Sequence, residues 1–168
     1  MAGNKYISNN AGTLTEVSAV QTSVGAGDAG KIPALDAAGK FDTSFMPTGI
    51  AADTAAIATS ETLAAGDLVN IWDSTGAKVR KADATVAGKE AHGFVKAVFT
   101  HPTTATVYFE GSNDQVTGLT PGVQFLQTTA GLAGATAPSA AGNVVQRVGF
   151  ATSATNLNFQ STVPIVLA

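Results

Sequence analysis

The sequence predicts an all-β fold: a compact antiparallel β-sandwich or barrel preceded by an extended N-terminal arm. Three observations predict it. After Ala51 the chain becomes a succession of short runs rich in Val, Phe, Ile and Thr. Turn residues separate these runs at roughly the spacing of sandwiches and barrels. No segment of helix length with a helical period appears in that half.

The arm, residues 1–51, comes first. "NNAGTLTEVSAVQTSVGAGDAG" carries small residues, isolated Leu14, Val17, Val20 and Val24, and a glycine cluster at Gly25, Gly27 and Gly30. The spacing of Val17, Val20 and Val24 suits a short amphipathic helix. The Thr and Val content suits a strand equally well, and both readings stand. So few bulky side chains do not close a core of their own. The next stretch, "KIPALDAAGKFDTSFMPTGI", holds most of the apolar bulk of this third: Ile32, Leu35, Phe41, Phe45, Met46 and Ile50. Their spacing gives no single helix face, and Pro33 and Pro47 limit regular structure at both ends. Asp36-Ala37-Ala38-Gly39 reads as a tight turn, with Asp bonding its own backbone and Gly supplying a positive φ. Leu35 and Phe41 then project on either side of it. These six apolar residues are the candidate partner-binding set.

The β-domain, residues 52–168, follows as strand-like runs. They are "LVNIW", "KVRKA", "AHGFVKAVFT", "ATVYFEG", "GVQFLQTT", "NVVQRVGFATS", "NLNFQS" and "VPIVLA". Alternation is visible in "TVYFEG" and "VVQRVGF". Asp73-Ser74-Thr75-Gly76 repeats the Asp-x-x-Gly turn, and Pro121-Gly122 signals a type II turn. Pro102 and Pro164 fit strand starts or edges, where a missing N–H costs little.

Composition narrows function. Nine basic and twelve acidic residues give a net charge of −3 with no basic patch, so a nucleic-acid partner is not expected. Charged residues make up 12% of the chain, about half the usual quarter. With a mean hydropathy of +0.20, that points to an ordered, assembled protein rather than a disordered one. Cys is absent, which removes thiolate metal sites and disulfides. The start lacks the apolar core of a signal peptide, and no run reaches the ~18 apolar residues of a membrane span. The expectation is a chain that begins near Met1, is made in a cytoplasm and does not enter a membrane.

The chemistry is thin. His92 and His101 lack a third nitrogen or sulfur ligand for zinc. Asp28, Asp36 and Asp42 lack the alternate oxygens and terminal Glu of a calcium loop, and read as turn formers. "GAGDAG" has neither a preceding strand nor a following helix, and no Walker sequence or nucleophile elbow is present. Trp72, Phe94, Phe99, Tyr108 and Phe109 sit in alternating runs and read as core or subunit contact rather than a stacking platform. Glu110 and Asp114 lie in "EGSNDQ", which reads as a turn rather than a paired-carboxylate cleft. No catalytic, cofactor-binding or metal residues are expected, and the chain is not expected to be an enzyme.

The stretch "GKIPALDAAGKFDTSFMPTGI" resembles a linker-like motif of bacteriophage virion proteins, with Gly-Lys-Ile-Pro-x-Leu-Asp-x-x-Gly-Lys-x-Asp-x-Ser-x-x-Pro at its heart. The later text is similar to a β-domain of phage structural proteins, through "AAGDLVNIWDSTGAKVRKAD", "AHGFVKA", "ATVYFEGSNDQVTGLTPGVQFL" and "GNVVQRVGFATSATNLNF". The two parts cover most of residues 30–168 in order; the first thirty residues carry no such motif. The resemblance implies a head decoration (capsid cement) protein, or a head- or tail-fibre component recognising the host surface. It further implies a homo-oligomer, trimer favoured over dimer, with the major capsid protein as partner and the outer capsid surface as location. The short chain and the lack of a repeated shaft favour decoration over a fibre.

Energetics point the same way. Six buried apolar side chains offer about 9–18 kcal/mol gross, at roughly 1.5–3 each. Ordering a wholly flexible arm costs about 1–2 kcal/mol per residue. The arm therefore does not anchor a lone chain. It is ordered in an oligomer before it docks, or acts through avidity.

Overall fold

The computed structural model describes residues 4–46 and 52–168. The chain divides into two compact units, Met1–Ala51 and Ala52–Ala168.

The first unit opens with a hairpin of β1 (Lys5–Asn10) and β2 (Thr13–Ser18), paired from Lys5↔Ser18 to Asn10↔Thr13. Ala11 and Gly12 turn the chain with φ of 51° and 90°, both positive as a type I′ turn requires. The Gly12 N–H donates to Asn9 Oδ1 at 2.8 Å and fixes that turn. Two single 3-10 turns follow, Gly25–Asp28 and Thr43–Phe45. Of the three spaced valines, Val17 lies in β2, Val20 forms a parallel bridge to Pro33, and Val24 is exposed. The strand reading of this segment holds and the helix reading does not. The arm is thus a hairpin with a bridged loop, more structured than an extended tail.

The second unit is all-β, with no α-helix among the described residues. Its first strands are β3 (Thr54–Thr59), β4 (Leu68–Asp73), β5 (Ala77–Lys81), β6 (Gly93–Phe94) and β7 (Thr104–Tyr108). They close into a barrel in the order β3-β5-β4-β6-β7. The β3–β5 pair is parallel and the other pairs are antiparallel. Next come β8 (Gly111–Asn113), β9 (Gly122–Leu126), β10 (Ala133–Gly134), β11 (Val144–Val145), β12 (Arg147–Ser153), β13 (Asn156–Phe159) and β14 (Ile165–Val166). An antiparallel sheet runs β10-β9-β12-β13-β8, and β11 pairs with β14 as a separate ribbon.

Three stretches differ from the sequence reading. "AHGFVKAVFT" contributes only Gly93–Phe94 to a strand, while its Phe99 bridges Leu63. "EGSNDQ" is no turn: Gly111–Asn113 pairs with β13. "TAAIAT" carries little bulk and still forms β3, because β7 pairs with it along five residues.

Alternation along the strands builds two cores. Val69, Val79, Ala105 and Val107, with Leu63 and Val95, form a cluster on the barrel strands. Leu68, the neighbour of Val69, joins Phe94, Leu126, Val148, Leu157 and Phe159 in the other, between barrel and sheet. Successive β4 residues thus serve opposite faces, as a pleated strand requires. Gln146 locks the two layers: its Oε1 accepts from Ala91 N–H at 2.8 Å and its Nε2 donates to Ala91 O at 2.9 Å.

Gly149 in β12 has φ 133°, and a Cβ there would lie 2.0 Å from the Asn158 carbonyl oxygen. Gly149→Ala is therefore expected to split β12 from β13. Chemical denaturation should show a loss of several kcal/mol, among the larger single-residue effects.

Asp83 adds a pH dependence. Burial pushes its carboxyl up, but the Thr85 hydroxyl, the Lys89 ammonium and the Thr85 N–H together outweigh it. They hold the carboxyl below its ordinary 3.8. Lys89 Nζ lies 2.9 Å from Asp83 Oδ2. A depressed folded value means the unfolded chain takes up the proton first as pH falls. The stabilisation is complete above 3.8 and disappears as pH drops through the lower folded value. Urea midpoints followed down this range should fall less steeply for Asp83→Asn than for the parent.

Candidate functional site

The first unit holds its shape with hydrogen bonds rather than a core. None of residues 4–46 is buried. Asp36 builds the turn anticipated at 36–39: its Oδ1 accepts from Ala38 N–H at 2.8 Å and Lys40 N–H at 2.9 Å, and Gly39 takes φ 73°. The Val20 N–H donates to Ile32 O and the Ala34 N–H to Val20 O, tying the apolar stretch to the end of β2. Gln21 Nε2 donates to Leu35 O, and the Ser23 N–H to Ser44 Oγ.

The acidic side chains here are internally satisfied. The Lys31 ammonium beside Asp28, with the Val24 N–H, holds the Asp28 carboxyl below its usual range. The Ser44 hydroxyl and N–H do the same for Asp42 at the start of the second 3-10 turn. Lys5 pairs with Glu16 across the hairpin. Lys5, Glu16, Asp28, Lys31, Asp36 and Asp42 all direct their charged groups to partners within this unit.

The apolar side chains are not satisfied. Ile32 is 50% exposed, Leu35 47%, Phe41 50% and Met46 41%. Phe45 is half-buried and meets Phe41 edge to face, with ring centroids 6.3 Å apart. Ile50 lies outside the described residues. Beside these side chains runs a groove of about 580 Å³, lined by Tyr6, Ala19, Ile32, Pro33 and Leu35 among others. Five of the six residues singled out thus lie in a single loop region rich in exposed grease. Ile7 and Leu14, on the hairpin, are exposed as well and were not among the partner-binding residues read from the sequence. The Asn-Asn-Ala-Gly turn signal flanked by "KYIS" and "TLTEV" was their one available clue.

In the second unit His92, His101 and Asp114, singled out from the sequence, are engaged by neighbours. His92 Nδ1 accepts from the Ile71 N–H at 3.0 Å, and His101 Nδ1 sits 3.0 Å from Thr59 O. Asp114 is taken by Lys96 at 3.3 Å and by Gln115. Among the described residues no group of three or more His, Asp or Glu side chains is placed to hold a metal. A cavity of about 390 Å³ is lined by Asp67, Val116, Leu119 and Gly131 among others. The Asp67 carboxylate already accepts from Ala64 N–H at 2.8 Å and faces Lys81 at 3.3 Å. Phe94 is buried, Tyr108, Phe99 and Phe109 pack against the cores, and Arg80 lies 4.7 Å over the Trp72 ring.

No protein-family model, no curated protein and no solved structure matches this chain.

Proposed function

We propose that this chain is a structural protein of a bacteriophage virion: a decoration protein that coats the outer surface of the head and stabilises it. Its action is binding, not turnover, and it uses no cofactor. Its partners are the major capsid protein and further copies of itself; nucleic acid and membrane are not partners. The observation that carries this reading is the contrast between the two units. One has two buried apolar clusters; the other has a defined hairpin and turns but no buried residue among those described.

A unit of that kind is completed by a surface outside itself. Ile32, Leu35, Phe41, Phe45 and Met46 supply the docking side chains, while the barrel domain is the part displayed. Copies that bridge neighbouring capsid subunits would resist the outward pressure of packaged DNA.

The test is the number of copies per particle in purified virions. Hundreds of copies support a shell coat. A few to tens would place the chain in a fibre instead, and absence from the particle would end the virion reading.

A further inference from the structure

We infer that β1 is a self-association edge, pairing antiparallel with β1 of a second copy about a two-fold axis at Ile7. The main chain carries the argument. Ala19 N–H donates to Asn4 O at 2.8 Å, and hydrogen-bonded pairs alternate along an antiparallel ladder. Tyr6, Ser8 and Asn10 therefore turn their backbone groups toward β2, while Lys5, Ile7 and Asn9 turn theirs outward. Those outward groups find no backbone partner among the described residues.

The hairpin's other edge differs. Val20, at the end of β2, is already paired with Ile32 and Ala34, so an incoming strand there runs into Pro33. Charge makes the same choice. Two copies of β1 crossed at Ile7 place Lys5 opposite Asn9 at both ends, with no like charges facing. Two copies of β2 crossed at their middle would set Glu16 against Glu16, which destabilises a sheet.

The edge also needs a partner. A two-stranded hairpin alone is marginal in water, and this one has no buried residue. By register, Ile7 and Leu14 share one face of it, and they are 63% and 71% exposed. Ile32, Leu35, Phe41 and Met46 are exposed in the same unit, which leaves it further apolar surface for a partner to cover. The occupant is a second copy because the edge is complementary to itself. The contact is two-fold, and so departs from the trimer that the resemblance implies. It does not depend on a capsid.

The full-length protein in solution tests this by mass and by cross-linking. The parent is expected to run at twice its 16.8 kDa chain mass. Ile7→Pro removes an outward N–H without touching the hairpin's own bonds. It should weaken the dimer about tenfold or more, the effect of two lost main-chain hydrogen bonds, one donor from each copy. Glu16→Pro on the other edge should leave the mass unchanged. The chain contains no cysteine, so Ile7→Cys adds a lone thiol. Crossed strands bring the two Cα atoms to about 5.5 Å, within disulfide reach. Mild oxidation should then give a covalent dimer, whereas Ser8→Cys, on the opposite face, should not. A parent that stays monomeric or forms trimers would overturn the assignment. So would dissociation by Glu16→Pro but not Ile7→Pro, or failure of Cys at position 7 to cross-link.

Discussion

A chain carrying Phe41→Ser and Phe45→Ser together is expected to fail to join shells while its barrel domain melts where the parent's does. The two rings touch edge to face, one half exposed and the other half-buried, in a unit with no buried residue among those described. Completing the burial of two half-covered phenyl rings contributes roughly 2–3 kcal/mol per chain, which is near a hundredfold in a binding constant. Many copies acting together magnify that loss. Among the described residues the barrel cores draw on none before Ile57, so thermal unfolding of that domain should not shift. Co-sedimentation with shells and a melting curve on the same preparation read both effects. Normal incorporation would remove the docking role of this segment.

Phe94→Ala is expected to have the largest effect on the fold itself. Phe94 is fully buried, stacks on Tyr108 with centroids 5.4 Å apart, and meets Phe159 at 5.6 Å. It sits on β6, which joins β4 to β7 in the barrel, while Phe159 belongs to the adjoining sheet. Removing the ring opens a cavity where the two layers meet. The loss should be about 3–5 kcal/mol, a large share of the 5–15 kcal/mol typical of a native domain. Denaturant unfolding measures it directly. A loss below about 1 kcal/mol would mean that the layers collapse onto the gap and that this contact does not join them.

Much of the β-domain was legible because its strands are Val-, Ile- and Phe-rich runs set between turn residues: "LVNIW" and "ATVYFEG" in the barrel and "GVQFLQTT" in the adjoining sheet each overlap an observed strand. The Asp-x-x-Gly turns were legible for a local reason, since Asp36 and Asp73 each bond backbone N–H groups a few residues on. β3 was not legible. Thr54–Thr59 is Ala and Thr with one Ile, and its pairing is decided by β7 and β5, far along the chain. The run Ala91–Thr100 misled for the converse reason: Val95 and Phe99 are inward-facing, but only Gly93 and Phe94 lie in a strand, and Phe99 makes an isolated bridge to Leu63. In the candidate site the apolar stretch was visible as bulk without a core to enter. The hairpin beside it was not, because its turn places Ala11 at a positive φ that Ala rarely adopts.

The most direct measurement compares the full chain with residues 52–168 alone, by solution mass and by binding to shells that lack the protein. Both are expected to fold, only the full chain to self-associate, and only the full chain to coat the shells. A barrel fragment that binds shells as well as the full chain does would contradict that expectation.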